Sequence, residues 1–268
     1  MEGGAFLPGA ELTDVVFWIT QFFFLSLRIG AFLLAGPGFG GRYVPLPVRI
    51  VATIVMTLPL VGNVPVPTID QLSQLSMFKL VGMEIAIGLG AGILLTTLFG
   101  AAAIAGDRIA NTAGLGFAAQ LDPSAGGQTP VVAQIFGILL LLIFIGTNGH
   151  LTAFRIILES YTLVPPMGSF NPYAMIDAII MAGGQMFALA ARIMMPVVAA
   201  LLLINIMIGV FTRSAPQLNV FSFGFPVTMT ATIVLLFLTV PGTAAAFDEL
   251  IHDALSLMSE MILEVGRG

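Results

Sequence analysis

Chemistry has few residues to work with in this chain. Its 268 residues include two histidines, His150 and His252, and no cysteine, so disulfides and thiolate metal sites are excluded. There is no His-Glu-x-x-His, and a zinc protease therefore lacks its ligands. No Gly-x-Ser-x-Gly supplies the nucleophile turn of a serine hydrolase, and no glycine-rich loop with a lysine supplies a nucleotide site. His150 follows Asn148-Gly149 and precedes Leu151, and reads as a helix-terminus residue. No catalytic, cofactor-binding or metal-binding residue is expected.

The ionisable residues that stand out lie inside apolar runs: Arg28, Glu84 and Arg192, with Asp177 near the start of another run. Such groups are expensive in lipid and usually face a bundle interior or a watery cavity. An ion or substrate path is one reading. A buried pair or a contact between subunits is the other, and a few scattered charges do not make a proton relay. Arg28 and Glu84 each need a partner or water, though not necessarily each other. Gly88-Leu89-Gly90-Ala91-Gly92 contains Gly-x-x-x-Gly, with Gly82 nearby. It lies in an apolar run with no strand before it, so it reads as close helix packing. Met181, Met186, Met194, Met195 and Met207 suit irregular packing surfaces.

The elements that must hold these residues are legible from composition. Hydrophobic residues make up 58% and charged residues 9%, against about a quarter charged in a soluble domain. A soluble fold would lack polar side chains to cover its surface, and lipid removes that need. The net charge of −5 offers no basic patch for nucleic acid. The first fourteen residues hold three acids and no Lys or Arg, unlike a cleavable signal peptide.

Six apolar stretches appear, near 15–35, 50–62, 80–105, 131–147, 176–211 and 227–246. A spanning helix needs ~20 apolar residues, so the second and fourth are short. The continuous runs exclude the alternating strands of a membrane barrel. Pro196 inside the fifth run predicts a kink or two consecutive helices. The acidic tail reads as an amphipathic helix with Leu250, Ile251, Ala254, Leu257, Met258, Met261 and Ile262 on one face. With six crossings, Arg42, Arg49, Arg108 and Arg213 fall on one side, which weakly favours the N-terminus and the tail outside. The long break at 106–130 is either a gate or a solvated connector. The predicted fold is an all-α integral membrane protein of about six hydrophobic helical segments in hairpins, forming one membrane domain over 1–268.

Three stretches resemble the FliR family of flagellar biosynthesis proteins, called SctT in injectisomes. They are Arg28-Ile29-Gly30-Ala31 leading to Pro37 and Val44-Pro45-Leu46-Pro47-Val48-Arg49, then Asn148-Gly149-His150-Leu151 running on to Ser160 and Pro165. The most specific is Ala215-Pro216-Gln217-Leu218-Asn219-Val220-Phe221-Ser222-Phe223-Gly224-Phe225-Pro226. The resemblance implies a FliP-like part over about 1–175 and a FliQ-like hairpin over 176–268. It further implies a gate subunit of the bacterial inner membrane at the flagellar basal body, assembled with FliP and FliQ, with FlhB and FlhA nearby, passing flagellar export substrates. Injectisome secretion, or a stand-alone small-solute transporter, are the alternatives. The resemblance makes 106–120 the pore plug, with Ile109, Leu115 and Phe117 occluding the channel and Gly114 and Gly116 letting it move.

Overall fold

Long apolar runs punctuated by Gly and Pro fold into helices across the described residues. The computed structural model describes residues 12–40, 44–67, 74–115, 131–215 and 223–267. In chain order the helices are α1 (Leu12–Ala35), α2 (Leu46–Thr57, running into a 3₁₀ turn at Leu58–Leu60), α3 (Gln74–Thr112), α4 (Val131–Gly146), α5 (Gly149–Leu163), α6 (Pro172–Ser214) and α7 (Phe225–Gly266). No strand occurs among the described residues.

The helix ends follow from local chemistry. Pro45 caps α2 in extended conformation, φ −60° and ψ 146°, with a second proline in the first turn, where a missing N–H costs nothing. Asn171 Oδ1 accepts from the backbone N–H groups of Tyr173 and Ala174 at 3.1 and 3.4 Å, and so caps α6. Between α4 and α5 the axis turns by 66°. Asn148 makes this elbow with φ +60°, a left-handed conformation that Asn tolerates better than most residues.

Four helices are long and apolar enough to cross a membrane: α1, α3, α6 and α7. The bent pair α4 and α5 makes a fifth if it counts as one span. Six crossings, the condition of the charge argument, are more than these lengths give, because α2 is a short apolar helix and the fourth run stops at the elbow. The side assignment built on six alternating crossings loses its basis with them. The fifth run is one continuous helix with Pro196 inside it, not two consecutive helices. Likewise the sixth run and the acidic tail are one helix across Pro241. A proline removes one hydrogen bond, and neighbouring packing can hold such a helix together.

The chain divides into two compact units. Unit 1 comprises Met1–Thr96, His150–Ala182 and Ala254–Gly268; unit 2 comprises Thr97–Gly149 and Gly183–Asp253. The core of unit 1 includes Phe24, Leu25, Ile29, Phe32, Leu80, Ile87, Leu94, Ile157 and Tyr161, together with the tail residues Ala254, Met258, Met261, Ile262 and Val265. The core of unit 2 gathers Leu98, Ala101, Ala105, Ile109, Phe136, Leu140, Phe144, Val197, Leu201, Phe247 and Leu250. All seven apolar tail positions named from periodicity are buried.

Candidate functional site

Arg28 and Glu84 meet inside unit 1. Arg28 Nε donates to Glu84 Oε2 and Nη2 to Oε1, each at 2.9 Å, a bidentate pair with both side chains fully buried. Arg28 Nη1 donates to Ser160 Oγ at 2.8 Å, and Nη2 also to the Val164 carbonyl at 2.9 Å. Its guanidinium carbon lies 4.2 Å from the centre of the Tyr161 ring, a cation–π distance. Tyr161 in turn donates its hydroxyl to the Leu25 carbonyl at 2.5 Å. Four of the five guanidinium N–H donors are thus used, and the charge is neutralised where lipid or protein would penalise it. The cluster ties α1, α3 and α5 together as a buried pair, and among the described residues no other charged side chain is buried.

Sequence reasoning missed Tyr161 and the Val164 carbonyl. The second had a readable signal. Pro165 and Pro166 end α5, and the last carbonyls of a helix have no partner inside it, so Val164 leaves an acceptor free for an arginine.

Directly beside this cluster α3 and α1 approach closely. A β-carbon added to Gly88 would collide with the Arg28 carbonyl and lie 2.9 Å from the Ala31 β-carbon. One added to Gly92 would lie 2.7 Å from the Ala35 β-carbon and 2.9 Å from the Gly36 nitrogen. At these two glycines α1 comes within contact of the α3 backbone. Gly82 has no such neighbour, since open space surrounds the position its β-carbon would take. It lies six residues before Gly88, and so on another face of the helix from the Gly88/Gly92 pair.

Arg192 is the clearest departure from expectation. It is not buried within the chain. Its side chain is 64% exposed and donates from Nη1 to Glu249 Oε1 at 3.1 Å, the acid being 57% exposed. The run around it is apolar on every side, so the sequence marks no inward face for it.

The segment expected to plug a pore begins later than 106. Gly106 to Thr112 are the last turns of α3. Ile109 is fully buried in the core of unit 2, so its side chain is committed to packing and cannot occlude a channel in this state. Gly106 itself abuts Ala133 of α4 closely. The helix stops at Gly114, which has φ +84°. Its N–H donates to the Asn111 carbonyl at 3.1 Å, and the Leu115 N–H donates to the Ala110 carbonyl at 3.0 Å. Those two bonds form a Schellman stop, which makes Gly114 a fixed cap. Leu115 follows it, half-buried. Gly116 and Phe117 lie outside the described residues, as do Pro216 to Ser222 of the third motif.

Beside this stop lies a cavity of about 590 Å³ in unit 2, lined among others by Arg108, Asn111, Gly114, Asn205, Phe225 and Thr228. Asn205 Nδ2 donates to the Thr112 carbonyl at 3.1 Å and Thr228 Oγ1 to the Ala113 carbonyl at 3.2 Å, so α6 and α7 supply the partners for the carbonyls that end α3. Among the described residues no three His, Asp or Glu side chains gather as a metal site.

Comparison with known proteins places this arrangement. The family described as bacterial export proteins, family 1, matches residues 19–254. The chain is 31% identical over 255 residues to the flagellar biosynthetic protein FliR of Pectobacterium carotovorum subsp. carotovorum, covering 94% of this chain and 96% of that one. This chain belongs to the FliR family. It is also similar to the FliR proteins of Escherichia coli strain K12, 29% identical over 92% of this chain and 95% of that one, and of Bacillus subtilis strain 168, 28% identical over 84% and 88%. The matched span of this FliR-family chain takes in both Arg28 and Glu84, the elbow at Asn148 and the stop at Gly114.

Proposed function

We propose that this chain is a core subunit of the flagellar type III protein export gate, seated in the bacterial inner membrane at the basal body. The observation that carries this reading is its similarity, over nearly the full length of both chains, to flagellar biosynthetic proteins, together with helices built to span a membrane. With FliP and FliQ it forms a gated, protein-conducting channel, with FlhB and FlhA close by. Unfolded flagellar rod, hook and filament proteins pass through it. The chain gates passively: proton-motive force and an ATPase elsewhere in the machine supply the energy. Residues 1–175 form the FliP-like part, and residues 176–268 the FliQ-like hairpin.

Gating falls to the residues after the α3 stop. Gly114 and Leu115 lead into Gly116 and Phe117, and the apolar side chains of this stretch close the pore by excluding water. Ile109 is left out of the plug because it is core.

The test is complementation with affinity capture. In a flagellated host lacking its own member of the family, this chain restores swimming and filament export, and solubilisation in mild detergent recovers it with FliP and FliQ. A chain that purifies alone, transports a small solute and leaves the host non-motile would overturn the proposal.

A further inference from the structure

The cavity beside the α3 stop has a buried apolar floor and a charged rim, all within unit 2. Ala113 of α3, Ile208 of α6 and Thr228 of α7 line it and are 1–6% exposed. Arg108 and Asn111 of α3 and Leu202 and Gly209 of α6 line it at the surface, where all four are exposed. At about 590 Å³ it falls within the ~300–1,000 Å³ of small-molecule sites.

The amide and hydroxyl donors of the wall are already engaged. Asn205 Nδ2 and Thr228 Oγ1 donate to the carbonyls that end α3, and Asn111 Nδ2 donates to Asp107 Oδ2 at 3.0 Å. Arg108 remains. It forms no ion pair among the described residues, and none of the lining residues is an acid. Arg213, also without an ion pair there, follows Gly209 one turn on along the same face of α6. A guanidinium offers five N–H donors in a fork that fits a phosphate. The apolar walls below it, Leu202, Ile208 and Phe225, suit a hydrocarbon chain and not a free anion. In a chain whose helices are built to cross a membrane, the molecule that joins those two chemistries is a lipid.

We propose that this cavity binds one anionic phospholipid, with its phosphate on Arg108, further charge from Arg213, and an acyl chain along Leu202, Ile208 and Phe225. A zwitterionic headgroup brings its own cation to the phosphate, so the site prefers phosphatidylglycerol to phosphatidylcholine. The bound lipid braces the end of α3, because the walls that hold it also hold the carbonyls of Thr112 and Ala113. The proposal needs only a membrane protein and stands apart from the export-gate reading.

Native mass spectrometry of the full chain in mild detergent tests it, with phosphatidylglycerol and phosphatidylcholine of the same acyl chains titrated separately. One phosphatidylglycerol should stay bound at lipid concentrations where phosphatidylcholine does not, and inorganic phosphate should not displace it. Arg108→Gln should weaken its binding about fivefold, the worth of one basic residue near anionic headgroups, and Arg108→Lys should weaken it less. Gly209→Leu should abolish binding by filling the cavity. A β-carbon at Gly209 meets open space, so the helix accepts the substitution, which an unchanged circular dichroism spectrum verifies; were it to unfold, the two Arg108 variants decide by themselves. Equal retention of the two lipids, or retention untouched by Arg108→Gln, overturns the proposal. Retention untouched in a folded Gly209→Leu variant overturns the cavity as its place, and displacement by inorganic phosphate overturns a lipid as its occupant.

Discussion

An arginine and a glutamate 56 positions apart share one set of hydrogen bonds in this protein, and that decides how each responds to change. Removing one partner of a buried pair leaves the other charged and unsolvated, at about 3–5 kcal/mol. Arg28→Met and Glu84→Leu singly should therefore lower the thermal stability of the detergent-solubilised protein sharply. The double variant should recover part of the loss, because no charge is left stranded. A double variant no more stable than the worse single would show that the two do not act as a pair. The sequence placed both residues inside apolar helices and required partners for them, but could not show that each was the other's. Periodicity assigns faces to a helix and says nothing of its register against a helix far along the chain. Arg192 shows the same limit from the other side. It looks like Arg28 in sequence, yet stands exposed beside Glu249, because a run apolar all round carries no mark of which face turns inward.

Among the elements, the glycines of α3 separate by what lies opposite them. Gly88→Ala would drive a β-carbon into the α1 backbone at Arg28, and overpacking of this kind costs about 1–3 kcal/mol. Gly82→Ala meets open space and should gain up to about 1 kcal/mol from helix propensity. Thermal melts of the two variants should shift in opposite directions, and equal shifts would remove the close-contact account. The elbow between α4 and α5 rests on Asn148 at φ +60°. Asn148→Val should cost about 1–3 kcal/mol because a β-branched residue is strained there, whereas Asn148→Gly should cost less because glycine adopts that φ freely; circular dichroism on heating would distinguish them. Long helices and the buried face of the tail were legible because their periodicity is strong. The continuity of α6 through Pro196 and of α7 through Pro241 was not, because a proline weakens a helix locally while packing against its neighbours decides whether it breaks. The late end of α3 was missed for a related reason: Gly106, Asp107 and Arg108 look like loop residues, but Gly106 is the small residue that admits α4.

For the whole molecule, the export-gate proposal makes a demand on permeability. Replacing Leu115 and Phe117 by Ala in the assembled gate should make resting cells leaky to small solutes, while secretion persists, since a plug restrains a channel without driving it. Ile109→Ala should act differently, lowering stability as a core truncation by about 2–5 kcal/mol without a specific leak. Dye influx measured without substrate, with assembly confirmed by co-purification, checks both; a tight membrane in the double variant would return the segment to an ordinary connector. Unit 1 draws on the first part of the chain, a middle stretch and Ala254–Gly268. The Asn171 N–H donates to the Val265 carbonyl at 3.0 Å, and Ala254, Met258 and Ile262 are buried in that unit. A ribosome making this protein therefore releases the last piece of unit 1 only after all of unit 2 has been made. Until then the earlier segments of unit 1 keep open the apolar surface that Ala254, Met258 and Ile262 cover, and a chain stopped before them never closes it. The stretch 254–265 thus acts as a latch that separates chains able to close unit 1 from fragments that are not.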